Sequence, residues 1–162
     1  MQTRGLSFEF VIEPGIGVSP IFFGMTPKDV RSALGLEPEC IDTSPSELRK
    51  MREYYAEFVG VDYDSNEQVY SVSFAPLGRV SLRFGSTNLF DDEAGINPIA
   101  VLLKADPGPF ESYGFIIFDG IGVAVTGYHD NAESQRAITV YRKGSWGLEH
   151  AKPMSAKELG EL

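Results

Sequence analysis

Apolar and polar residues alternate along most of this chain with the period of two that suits a half-buried strand, and a helical spacing interrupts that rhythm in only a few places. Residues 6–12 alternate at their start and predict a strand, ended by the turn residues Pro14-Gly15-Ile16-Gly17. Residues 55–62 and 69–74 predict two strands around the polar turn 64–67, and residues 80–84 predict a third with strict alternation. Residues 113–118 and 121–125 flank Asp119-Gly120, a dipeptide that favours a tight hairpin. Residues 136–141 are the last predicted strand, and residues 85–95 read as a polar loop.

Three stretches carry helix signals. After Ile21-Phe22-Phe23-Gly24, Thr26 is placed as a cap, Pro27 suits the first helical position and Asp29 sits in the first turn. Val30, Ala33 and Leu34 make one narrow apolar face, and Gly35 stops the helix. Ser44 and Glu47 form a second capping pair and predict a helix with Leu48 and Met51 on its apolar side, ending near Arg52 or Glu53. Asn97-Pro98 repeats the cap-plus-proline start, followed by Ile99, Val101, Leu102 and Leu103 and a stop before Pro107. The charged tail from Lys152 reads as a loose helix or a frayed end.

Together these elements predict an α+β fold, an antiparallel curved sheet with short helices packed on one face. A single domain over 1–162 is expected. The order of elements repeats, so two tandem helix-plus-meander halves, 6–84 and 85–146, sharing one sheet and followed by a tail at 147–162, stay open beside it.

Composition narrows the partners. The 14 Lys and Arg stand against 23 Asp and Glu, and the net charge of −9 repels nucleic acid and anionic membrane. Such a surface favours a basic partner or plain solubility. Cys40 is the only cysteine, so no internal disulfide can form, and a partly buried place between helices is expected for it. The first residues carry a single positive charge, and the apolar run 6–12 is broken by Glu9. That run is too short for a signal-peptide core and too polar for a membrane span, so the cytoplasm is the expected location.

The sequence offers little for catalysis. His129 and His150 are the only histidines, on a predicted loop and in the tail, and with one cysteine they make no zinc spacing. The Gly-x-Gly at 15–17 lacks the third glycine of a dinucleotide fingerprint. Asp62-x-Asp64-x-Asn66 begins like a calcium loop, but Glu67 and Ser73 stand where glycine and glutamate are needed, so a solvated hairpin tip is expected. No catalytic residue, cofactor or metal ligand is assigned, and the chain is read as a non-enzyme.

Surface recognition remains. One alternating set, including Val59, Val61, Val72, Phe74, Val123, Val125, Ile138 and Val140, should face the helices. The opposite set holds Asp62, Ser73, Arg83, Thr126, Tyr128, Arg136, Thr139 and Tyr141, rich in the types that dominate interfaces. Asp62, Arg83, Tyr128 and Tyr141 are the candidate protein contacts, and Trp146 is expected to cover a sheet edge, with joining that surface as the alternative.

The segment Pro20-Ile21-Phe22-Phe23-Gly24-Met25-Thr26-Pro27-Lys28-Asp29-Val30, closed by Leu34-Gly35, resembles a Gly-Met-Thr…Val…Leu-Gly signature. It is shared by helix-then-meander domains of the SmpA/BamE and β-lactamase-inhibitory-protein types, and similar segments occur in small bacterial toxin-immunity proteins. The resemblance implies helices on a curved antiparallel sheet and a protein that works by binding another protein. The absence of an N-terminal lipidation cysteine and of a disulfide argues against the lipoprotein and secreted-inhibitor roles. An immunity or inhibitor protein that occludes its partner, such as a basic toxin domain, with the open sheet face is therefore the leading expectation. A small-molecule-binding domain or cryptic enzyme using a cavity between helices and sheet, near Cys40 or His129, is the alternative. A homodimer formed through sheet edges is a third reading.

Overall fold

A computed structural model describes residues 8–56, 59–76, 80–128 and 133–162 of the chain. The strands are β1 (Phe8–Glu13), β2 (Gly17–Ser19) and β3 (Ile21–Phe22), followed by helix α1 (Pro27–Leu34). Next come β4 (Cys40–Asp42), β5 (Met51–Tyr55), β6 (Val59–Tyr63), β7 (Val69–Phe74), β8 (Val80–Phe84) and β9 (Thr87–Asn88). Helix α2 (Pro98–Ala105) leads to β10 (Phe110–Ser112), β11 (Phe115–Phe118), β12 (Val123–Thr126) and β13 (Ala137–Tyr141), and the chain closes with β14 (Lys152–Pro153) and α3 (Ala156–Gly160). The fold is α+β and dominated by sheet.

Helix α1 begins as its sequence dictates. The Asp29 N–H donates to Thr26 Oγ1 at 3.2 Å, and Asp29 Oδ2 accepts from the Thr26 N–H at 3.1 Å. This reciprocal cap satisfies two N–H groups that would otherwise have no partner. The preceding segment docks on β7, with Gly24 N–H to Val69 O and Val69 N–H to Met25 O both at 2.9 Å. Val30 is fully buried and Leu34 packs against the same core, whereas Ala33 is exposed, so the helix meets the core through a narrower stripe than its spacing implies. Burial of a valine such as Val30 contributes about 1.5–3 kcal/mol.

The helix expected to start at Ser44 and end near Arg52 or Glu53 is absent: residues 43–50 are irregular, and Met51–Tyr55 is a strand. Asp42 Oδ1 takes the Ser44 N–H at 2.8 Å, so the capping signal is spent on a local turn. Residues 51–55 then alternate, with Glu53 and Tyr55 on the core side of the sheet, and cross-strand pairing outweighs a weak helical preference.

Among the described residues the strands form two sheets rather than the single one expected. The smaller has the order β3-β2-β1-β8-β9, with β8 parallel to β1. The larger is antiparallel throughout, in the order β14-β10-β11-β12-β13-β7-β6-β5-β4. Alternation specifies which face of a strand is buried, not which strand it pairs with. Val80 and Leu82 are core residues as expected, but they reach the core from the smaller sheet. In the larger sheet α1 and α2 are each followed by a run of four antiparallel strands, and the two runs meet where β7 pairs with β13.

One core lies between the sheets. Phe10 of the smaller sheet meets Phe74 of the larger with ring centroids 4.9 Å apart, and Val30, Ile99 and Leu102 bring both longer helices into the same cluster. The alternating set expected to face the helices, from Val59 to Val140, is buried there.

The tight two-residue turn falls at Tyr113-Gly114, where both residues have positive φ and Ser112 pairs with Phe115. Asp119-Gly120 instead opens a four-residue loop to Val123. Asp119 is occupied by Tyr141, and the Gly120 N–H donates to Asp106 Oδ2 at 2.9 Å, while Gly122 carries the left-handed backbone (φ +68°). The tail is ordered, with β14 pairing with β10 and Ser155 capping α3. Among the described residues no helix is long and apolar enough to cross a membrane.

Candidate functional site

Side chains of one strand point alternately to the two faces of a sheet, so the residues between the core positions of β5, β6, β7 and β13 gather on the outer face of the larger sheet. Arg52, Gly60, Ser73, Thr139 and Tyr141 arrive there by simple alternation. A β-bulge at Asp62/Tyr63 pairs Tyr63 with Val69 and Asp62 with Ser71, leaving Tyr70 as the additional residue. Tyr70 and Ser71 both border the resulting cavity of about 400 Å³.

The floor at one end is an ion pair. Arg52 and Asp62 are direct cross-strand neighbours. Arg52 donates from Nε to Asp62 Oδ1 at 2.6 Å and from Nη2 to Oδ2 at 2.7 Å, a two-pronged geometry that only arginine offers a carboxylate. Ser71 Oγ also donates to Asp62 Oδ2 at 3.2 Å, and Arg49 Nη1 stands 3.8 Å from Oδ1. Gly60 makes this possible: a Cβ there would lie 3.2 Å from Arg52 Nη1 and 3.3 Å from its Cδ. Hydrogen bonding to Asp62 raises the Arg52 pKa still further, against the opposing effect of burial. Burial, followed by the nearby Asp62 charge, pushes the Tyr70 phenol up to about 12.

The middle is a row of hydroxyls. Ser73 Oγ and Thr139 Oγ1 are paired across β7 and β13 at 2.9 Å. Only one hydrogen lies between them, so the accepting hydroxyl keeps its own proton to donate. At the other end the chain after β13 folds back, and Trp146 packs on Phe115 (centroids 4.9 Å) and on Tyr141 (5.2 Å). Trp146 thus joins the sheet face, the alternative to the edge-covering place expected first.

Asp62 and Tyr141 border the same cavity, yet neither is an exposed contact, being only 4% and 1% exposed. Asp62 is held by Arg52 and Ser71, and the Tyr141 hydroxyl donates to Asp119 Oδ1 at 2.7 Å. Arg83 belongs to the other sheet, where Nη1 donates to Ser86 O at 3.2 Å and Nη2 lies 3.8 Å from Glu9. Tyr128 packs half-buried against the core, with the Arg136 guanidinium 4.8 Å from its ring centroid. Burial pushes its phenol up to about 12, against the Arg136 charge. Arg52, Tyr70, Ser71 and Phe115 were not among the expected contacts. The Arg52-x-Tyr54 alternation was legible in the sequence, but the misplaced helix hid it, and nothing in the sequence marked the bulge.

Two other carboxylates are fully engaged. Glu53, on the core face, accepts from Tyr63 and Tyr55 hydroxyls at 2.8 and 2.9 Å and from Arg31 Nη2 at 2.6 Å, tying α1 to β5 and β6. Asp64 accepts from the Asn66 and Gln68 N–H groups at 2.9 and 3.1 Å and from Arg142 at 3.4 Å. The hairpin tip expected to be solvated therefore carries two buried carboxylates, Asp62 and Asp64. Among the described residues no group of three or more His, Cys, Asp and Glu could hold a metal ion. Cys40 is exposed on the edge strand β4 instead of lying between helices, and His129 lies outside the described residues.

The alternative reading placed a cavity between helices and sheet; the cavity described here is on the opposite side of the sheet, between an ion-paired floor and an aromatic wall. Against this geometry, no protein-family model, no curated protein and no solved structure matches the chain.

Proposed function

We propose that this chain is a cytoplasmic protein-binding module of the inhibitor or immunity kind, not an enzyme, and that it occludes a partner protein with the outer face of its larger sheet. The observation that carries the reading is the cavity on that face, which joins Arg52, Tyr70 and Trp146, residue types concentrated in interface hot spots. The net charge of −9 supports a basic partner, such as a toxin domain, by steering its approach and repelling nucleic acid and anionic membrane.

The test uses the full chain carrying a photo-crosslinking residue at Ser145, on the cavity border, or at Arg83 in the other sheet. In the source cells a protein adduct should form at Ser145 and not at Arg83. With that partner purified, Trp146→Ala should weaken binding by at least about tenfold, while Arg83→Ala changes it less than about twofold. No protein adduct at Ser145, or equal adducts at both sites, would remove this reading. A doubled solution mass with a self-adduct at Ser145 would replace it with a homodimer through the same face.

A further inference from the structure

The chemistry of the outer cavity constrains what can enter it, and this step rests on the protein-binding reading of the same face. The net charge of −9 suggests that a basic side chain would be received there, with Asp62 as its counter-ion. The geometry is against that. Both Asp62 oxygens accept from Arg52, Oδ2 accepts again from Ser71, and Arg49 stands 3.8 Å from Oδ1. An incoming ammonium or guanidinium would meet two arginines and no free carboxylate at this floor. An anion would find Arg52 Nε and Nη2 already committed to Asp62, and it would leave the aromatic wall of Phe115 and Trp146 unused.

A wholly apolar group is excluded for a different reason. It would remove water from the Ser73–Thr139 pair and leave one hydroxyl hydrogen without an acceptor. The wall beside that pair is nonetheless aromatic, made by Phe115 and Trp146. The matching occupant is uncharged, flat and apolar along its body, and polar at its tip. Tyrosine has that form, and it is a residue that interfaces favour. A cavity of about 400 Å³ admits one phenol ring and leaves room for bridging water.

We propose that the outer cavity is an anchor pocket for a tyrosine presented by a loop of the partner, its ring beside Trp146 and its hydroxyl bonded to the Ser73–Thr139 pair. The basic character of the partner then acts at the rim, in steering, and an uncharged residue provides the anchor.

The isotope-labelled full chain, titrated with N-acetyl-tyrosinamide, N-acetyl-phenylalaninamide and N-acetyl-argininamide, tests this by nuclear magnetic resonance. The tyrosine amide should shift the signals of Ser73, Thr139 and the Trp146 indole and bind about fivefold more tightly than the phenylalanine amide, the effect of one neutral hydrogen bond. Thr139→Val, close in shape and suited to a strand, should reduce that preference below about twofold. Tightest binding by the arginine amide, equal binding of the two aromatic amides, a preference that survives Thr139→Val, or no shift at these residues would each overturn the proposal. Crosslinking at Ser145 depends on none of these amides, so a protein adduct there alongside a failed titration would leave the partner reading standing and discard the tyrosine anchor.

Discussion

Arg52 lies across Gly60 and grips Asp62 through two hydrogen bonds of 2.6 and 2.7 Å, so the acid at the floor of the outer cavity is already neutralised from within. The pair joins β5 to β6 in register, and Ser71 extends it to β7. Removing one partner leaves a largely buried charge alone. Asp62→Ala should lower stability by about 3 kcal/mol, and the double variant Arg52→Met/Asp62→Leu should recover to within about 1 kcal/mol of wild type, because replacing both charges removes the desolvation cost as well as the attraction. Urea unfolding of the single and double variants measures both.

Glu53 is fully buried and holds three donors, so it acts as the joint between α1 and the larger sheet. Glu53→Ala should cost about 3 kcal/mol and Glu53→Gln about 2 kcal/mol, since the amide keeps the shape but cannot accept from all three donors. Arg31→Met should cost about 2 kcal/mol, because it leaves the fully buried Glu53 carboxylate without a counter-ion, although both tyrosine hydroxyls remain on it. Equal losses for Arg31→Met and Glu53→Ala in chemical denaturation would show that the ion pair, not the tyrosines, holds the joint.

Two glycines with positive φ separate backbone strain from steric conflict. A Cβ on Gly122 would lie 2.7 Å from the Tyr141 carbonyl oxygen, whereas one on Gly114 would meet nothing within 4 Å. Both substitutions force a left-handed alanine, but only Gly122→Ala also pushes β12 off β13. Gly122→Ala should cost about 3 kcal/mol and Gly114→Ala about 1 kcal/mol in thermal or urea unfolding.

Burial raises the pKa of Tyr55, Tyr63, Tyr70, Tyr128 and Tyr141, with Tyr70 and Tyr128 pushed up to about 12. The unfolded chain releases these protons near pH ~10 while the folded chain retains them. Their contribution is fully present below about pH 10 and is lost as pH rises from there towards about 12 and beyond. The urea midpoint should therefore fall steeply above about pH 10, and the phenolate absorbance of these five tyrosines should rise together with unfolding. Phenolate formation at one of these five tyrosines well before any loss of structure, seen as absorbance missing from the matching Tyr→Phe variant, would contradict this coupling.

Local instructions were legible where a few neighbouring residues decide the outcome. Thr26, Pro27 and Asp29 specify the start of α1, Asn97 and Pro98 that of α2, and the alternation from Val59 to Val140 specifies which positions are buried, because caps and strand periodicity depend on the backbone close by. Partnership is another matter. Ser44 and Glu47 carry a helix start, yet Asp42 captures the Ser44 N–H and β5 pairs with β6. Residues 80–84 are a strand by their alternation, but only the packing of Phe10 and Leu82 into the common core assigns them to a second sheet, parallel to β1. The outer cavity was half visible. Ser73, Thr139 and Tyr141 follow from alternation, whereas Tyr70 enters through a bulge, Arg52 through a strand hidden by a helix signal, and Trp146 through a chain reversal after β13. Caps, buried faces and net charge follow from neighbouring residues and composition alone. The tertiary structure decided which strands are neighbours and which charges cancel, because both depend on residues brought together across the chain, such as Arg52 with Asp62 and Arg142 with Asp64.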